Sequence, residues 1–135
     1  MAKKFKFEVV TPERLFWSEE VDMISFSSPE GEMGVLAEHE PMLIAAKASI
    51  LKILIDGKEK MATIGEGFIE VTKEKVVAIV DSAEWPEEID IDRAVSSKNK
   101  AENQLGNENL DKDMEHILKM TIERANNRIK LVNGK

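Results

Sequence analysis

The feature that most constrains the fold is a change of hydrophobic period near residue 84. Before it, apolar residues alternate with polar ones, the period of half-buried strands. Phe5, Phe7 and Val9 alternate with Lys4, Lys6 and Glu8. Further strand-like runs lie at residues 21–26, 33–37, 42–46, 50–55, 60–64, 68–71 and 76–80. Turn residues separate them at intervals of about 8 to 12 residues, as in sandwiches and flattened barrels. Asp56-Gly57, between two such runs, is the strongest hairpin signal in the chain. After Ala83-Glu84-Trp85-Pro86-Glu87-Glu88 the period becomes helical. Asp90 is placed as an N-cap, and Ile91, Ala94, Ala101 and Leu105 recur at helical spacing. Gly106-Asn107 marks a C-cap and turn. A second helix starts near Asn109 or Asp111, with a stripe of Leu110, Met114, Ile117, Thr121, Ala125, Ile129 and Val132, widened by Leu118 and Ile122.

The expected architecture is α+β: an antiparallel β-sandwich over residues 1–84, a linker at 85–89 and an antiparallel two-helix hairpin at 90–135. Helices joined by about four residues pack antiparallel. The first helix presents mainly alanines to that seam. Little apolar area is removed from water there, so the hairpin is expected to be the least stable part and able to open.

Composition narrows the function classes. At 42% hydrophobic and 33% charged, the chain can build a core. Its net charge of −7 disfavours binding to nucleic acid or anionic lipid, which need a basic face. The absence of cysteine removes disulfides, thiolate metal sites and Cys nucleophiles. The charged start is not read as a signal peptide, and no run approaches the ~18 apolar residues of a membrane span. If the protein works at a membrane, another protein must hold it there.

No catalytic motif stands out. His39 lies between Glu38 and Glu40, but on an extended strand neighbouring side chains point to opposite faces. A structural or interface role fits it better than a metal site. His116 falls on the polar side of the second helix. One cluster rises above background. Arg124 and Arg128 share a helix face, and residues equidistant from the turn face each other across a hairpin. Asp90 then lies opposite the Arg124 to Arg128 region, Arg93 lies near Arg124, and Glu84 or Glu88 approaches from the linker. Guanidinium forks suit phosphate oxygens. The same groups can form a salt-bridge latch, Asp90 to Arg128 and Glu88 to Arg124, and on the residues alone the latch is favoured because most charge clusters are solvated faces.

The chain resembles the epsilon subunit of bacterial F-type ATP synthase, nearly end to end. The resemblance rests on Gly31-Glu32-Met33-Gly34-Val35-Leu36, His39-Glu40-Pro41-Met42-Leu43, Gly67-Phe68-Ile69-Glu70-Val71 and the I/L-D-x-x-R-A motif in Ile89-Asp90-Ile91-Asp92-Arg93-Ala94. Departures are Ala37-Glu38, where many relatives have Pro-Gly, and Glu66, where many have glycine. The resemblance implies a non-catalytic rotor subunit, peripheral on the cytoplasmic face of the cell membrane. Its sandwich would clamp the gamma subunit and rest on the c-ring through Glu30, Gly31 and Glu32, with His39 nearby. Its hairpin would either fold down or extend along gamma into the alpha/beta catalytic head and inhibit ATP hydrolysis. In Bacillus-like members the folded hairpin binds ATP without Mg²⁺. The matching residues here are Glu84, Ile89, Asp90, Arg93, Ala94, Arg124 and Arg128, and the full set turns the balance from latch to ATP site. The alternative is a purely structural rotor coupler latched by salt bridges, with no nucleotide.

Overall fold

The computed structural model describes residues 3–107 and 109–134. It divides into two compact units, which meet in sequence between Glu84 and Trp85.

In the first unit, the described residues form ten strands in two sheets. These are β1 (Phe5–Val10), β2 (Leu15–Val21), β3 (Met23–Ser28), β4 (Gly31–Leu36), β5 (Met42–Ala46), β6 (Ser49–Ile55), β7 (Lys58–Ile64), β8 (Gly67–Val71), β9 (Lys75–Val80) and β10 (Ala83–Glu84). One sheet runs β2-β1-β9-β8-β5 and the other β10-β7-β6-β3-β4. Phe7, Val9 and Ile69 from the first sheet and Ile24, Phe26, Val35 and Ile53 from the second are almost wholly buried. Alternation along most strands turns one apolar face inward, the arrangement expected of a sandwich.

The Asp56-Gly57 reading holds. Ile55 pairs with Lys58 across a two-residue loop, with both loop residues at positive φ (50° and 78°). That is the primed turn whose twist matches the strands.

Three details differ from the sequence expectation. First, residues 21–26 are not one strand. Val21 ends β2 in one sheet and Met23 begins β3 in the other. Asp22 makes the corner: its backbone N–H donates to Leu54, and its carboxylate accepts from the Asp56 N–H at 2.7 Å. Second, the strand Leu15–Val21 escapes the alternation rule because Phe16 and Trp17, adjacent in sequence, are both buried. The register of β1 and β2 slips beside them, between Val9 and Val10. Third, β1 and β9 pair in parallel. Alternation reports which face is buried but carries no information on strand direction.

The second unit opens with a 3₁₀ turn, Pro86–Glu88, where a plain linker was expected. The Glu88 carboxylate reaches back to accept from the Trp85 N–H at 2.9 Å. Helix α1 (Ile91–Leu105) follows, capped by Asp90, and α2 (Lys112–Asn133) is capped by Asp111. Gly106 ends α1 in a right-handed conformation, whereas Gly134 ends α2 at φ 73°, the left-handed cap. The helices pack on each other, and the 3₁₀ turn also touches α2, so the Asp90 end of α1 lies against the second helix. Ala94 and Ala101 are buried on α1, as expected, and Leu118, Ala125 and Leu131 on α2. The buried face of α2 is rotated from the expected stripe, since Met114, Ile117 and Val132 are exposed. A helix with apolar residues over more than half its circumference admits several stripes, and packing selects among them.

Candidate functional site

The arginine-bearing hairpin is the first candidate. Asp90 sits just outside α1, and its Oδ1 accepts from the Arg93 N–H at 3.1 Å. One carboxylate oxygen is thereby fixed at the positive end of a helix dipole. Arg93 projects from an exposed position, Ile89 is half-buried and Ala94 is buried. On α2, Arg124 and Arg128 are one turn apart and both half-buried. The hairpin thus gathers Ile89, Asp90, Arg93 and Ala94 at one helix end and sets that end against the helix carrying the two arginines. Glu84 belongs to the other unit, where it pairs with Thr63 at the end of β10.

The second candidate is a surface that sequence reasoning missed. On the outward face of the first sheet, the register aligns Ala45 with Phe68, Phe68 with Ile79, Ile79 with Val10, and Val10 with Leu15. One transverse row of apolar side chains therefore crosses all five strands. Phe68, Ile79 and Leu15 are 52%, 53% and 58% exposed, and Leu43, on the neighbouring row, 66%. Scattered exposed apolar residues are ordinary, but a contiguous row marks an interaction surface. The row that holds Leu43 is otherwise mixed, with Glu70, Val77, Glu8 and Ser18. Glu8 accepts from the Lys75 ammonium at 3.0 Å and from the Ser18 hydroxyl at 3.1 Å. Those two contacts hold its carboxyl below the usual range, the lysine bond being the larger cause.

The third candidate is the outer edge strand of the second sheet, β4. Glu30, Gly31 and Glu32 lie at its start, in a turn where the Ser28 hydroxyl donates to the Gly31 carbonyl at 2.8 Å. His39 lies beyond its other end, so the two segments expected near one another bracket a six-residue strand of roughly 17 Å. Residues 37–41 are loop, not strand, so the alternation argument applied to His39 does not hold. Glu38 has φ 65° there, and its carboxylate pairs with Lys3 at 2.9 Å. This loop walls a cleft of about 340 Å³ with an apolar floor of Phe5, Val71 and Val76. Among the described residues, no group of three or more His, Asp or Glu is placed to hold a metal ion. His116 is exposed on α2. No described helix is long and apolar enough to cross a membrane.

Comparison with known proteins agrees with this layout. Residues 4–86 match the family model described as ATP synthase, Delta/Epsilon chain, beta-sandwich domain. An ATP synthase epsilon chain from Alkaliphilus metalliredigens is 40% identical over 135 residues, covering all of both chains. One from Desulforamulus reducens is 35% identical over 130 residues, covering 96% of this chain and 98% of the relative. The fold is similar to a chain in the cryo-EM structure of the Euglena gracilis mitochondrial ATP synthase, OSCP/F1/c-ring. There the TM-score is 0.78 and the identity 24%, over 91% of this chain and 78% of the other. A chain in the central stalk/c-ring structure from Tetrahymena thermophila gives a TM-score of 0.65 at 14% identity, over 97% of this chain and 98% of that one.

Proposed function

The chain belongs to the ATP synthase delta/epsilon family, as an epsilon chain, and from that premise we propose that it is a non-catalytic rotor subunit whose hairpin is an ATP-sensitive brake. The sandwich docks the gamma subunit and the c-ring, and holds the protein at the cytoplasmic face of the cell membrane without entering it. The hairpin, when extended into the alpha/beta head, inhibits ATP hydrolysis. ATP binds only the folded hairpin and keeps the brake off.

The observation that carries this reading is the pairing of a weak seam with a cationic face. Alanines supply the α1 side of the seam, so that helix contributes little apolar surface to it. Arg124 and Arg128 provide forks for phosphate oxygens on the helix that receives the Asp90 end of α1. The Asp90 carboxylate can accept from a base amino group or a ribose hydroxyl, and half-buried Ile89 offers an apolar contact for a base. A ligand that binds one of two conformations shifts the population by its differential affinity. At a hundred times its dissociation constant that amounts to about 2.7 kcal/mol, enough to govern so thin a seam.

The test is thermal melting of the full chain in Mg²⁺-free ATP. ATP is expected to raise the melting temperature, and Arg93→Ala and Arg128→Ala each to reduce the rise. An unchanged melting temperature in the wild-type chain leaves only a nucleotide-independent latch. In the assembled synthase, truncation at Glu88 is expected to release ATP hydrolysis. Hydrolysis that stays suppressed after truncation removes the brake from this subunit.

A further inference from the structure

We infer that Asn127 is a further nucleotide-contacting residue, its side-chain amide adding a neutral donor for phosphate oxygens between the two arginines. The inference rests on the nucleotide-binding reading of the same hairpin.

Asn127 lies in the interior of α2, three residues after Arg124 and one before Arg128. Spacings of three and four bring Arg124, Asn127 and Arg128 onto neighbouring positions of one helical face. The Nδ2 of Asn127 is buried and has no hydrogen-bond partner. The Nε of Arg124, on the same face, is buried as well. Asparagine is a poor interior helix residue because its amide competes with the backbone. A buried amide donor without an acceptor is more costly still. The described residues give the Asn127 Nδ2 no acceptor, so this donor is available to an acceptor from outside the chain.

The neighbouring side chains define that acceptor. Two guanidiniums select an anion rich in oxygen, and a neutral amide adds a donor without adding to their mutual repulsion. The oxygens of a phosphoryl group accept from both kinds of donor. Access requires only side-chain motion. Asn127 as a whole is half-buried, and the terminal torsion of asparagine is broad and roughly two-fold. Rotation about it re-aims the Nδ2 donor.

The experiment is a titration of the full chain with Mg²⁺-free ATP. It reads the dissociation constant, the melting temperature without ligand, and the side-chain amide resonances of Asn127. In the wild-type chain, ATP is expected to shift those resonances and slow their exchange with solvent. Asn127→Ala is expected to weaken ATP binding about tenfold, the effect of one hydrogen bond to a charged partner. Its ligand-free melting temperature should be unchanged or higher, because an unmet donor is removed. Asn127→Asp, which sets a carboxylate against phosphate, should weaken binding further. If the wild-type chain binds ATP and Arg128→Ala weakens it, but Asn127→Ala binds normally or the amide resonances stay fixed, Asn127 has no such role and the nucleotide reading stands. If the wild-type chain does not bind ATP, both fail together.

Discussion

Glu38 keeps φ at 65°, a conformation in which a β-carbon crowds the backbone and which glycine adopts freely. A side chain held in that conformation leaves a strained residue in the loop. Its exposed ion pair with Lys3 offsets little of that strain, because solvent-exposed pairs contribute weakly. Glu38→Gly is therefore expected to raise the melting temperature of the sandwich by about 4–8 °C, the shift for ~1 kcal/mol in a domain of this size, while Glu38→Ala, which keeps the β-carbon and loses the ion pair, gives no gain. Differential scanning calorimetry of the three proteins checks both signs. Glu8 makes a second prediction at this scale. The Lys75 ammonium and then the Ser18 hydroxyl lower its folded-state pKa from the ordinary value near 4.5. A depressed carboxyl stabilises the fold above the unfolded value and loses that contribution as pH falls through the folded value. Acid titration of stability should show this loss below about pH 4.5, and Lys75→Ala should flatten it. A wild-type curve that coincides with the variant's would remove the ion pair from the acid response. Neither feature could be read from the chain: the residue types at 37–38 do not fix φ, and Glu8 and Lys75 are 67 residues apart in sequence.

Elements were legible where a local rule fixes them. Asp56-Gly57 dictates a two-residue hairpin because both positions must take positive φ, and the structure has both. Asp90 was legible as a helix cap, and the second helix start was legible only as near Asn109 or Asp111; each aspartate accepts from the backbone N–H three residues on, Asp111 from Met114 at 2.8 Å. Where the rule is not local, reading failed. Phe16-Trp17 breaks the alternation, β1 and β9 pair in a direction that alternation does not encode, and α2 turned a different face inward. The capping of α2 supports a direct prediction. The seam depends on small side chains, so each cap is a large fraction of the hairpin's stability. Asp111→Ala should cost about 1 kcal/mol, confined to the second unit. Hydrogen exchange is the measurement: α2 amides should exchange roughly fivefold faster, with amides of the buried strands Ile24 to Phe26 unchanged. Equal acceleration in both units would show that the hairpin is no separate cooperative element.

At the scale of the molecule, the apolar row on the first sheet unites residues at positions 10, 15, 45, 68 and 79. Each alone reads as an ordinary strand residue, and no window of sequence contains the row. It exists only because four pairings bring the positions into line, so it becomes visible once the register is known. The two-unit organisation, in contrast, was plain from the change of period, because each period belongs to a continuous stretch of chain. A row of this kind on a rotor subunit is best suited to a partner that covers it permanently, and the gamma subunit is the proposed one. The core of such an interface should be anchored by its aromatic side chain, here Phe68, with Ile79 beside it. Both side chains are about half exposed in the chain alone, so replacing them leaves the buried core untouched. Phe68→Asp and Ile79→Asp should keep the melting temperature within about 2 °C of wild type, since exposed sites shift stability by tenths of a kcal/mol. Each should weaken binding to purified gamma by roughly 30-fold or more, the ≥2 kcal/mol of a central interface residue. Lys52→Glu, on the outward face of the other sheet, is the control and should bind normally. If both Asp variants bind gamma as tightly as wild type, the row faces something else. If the Lys52 variant loses binding instead, the docking face lies on the opposite sheet, and the orientation of the sandwich on the stalk is reversed.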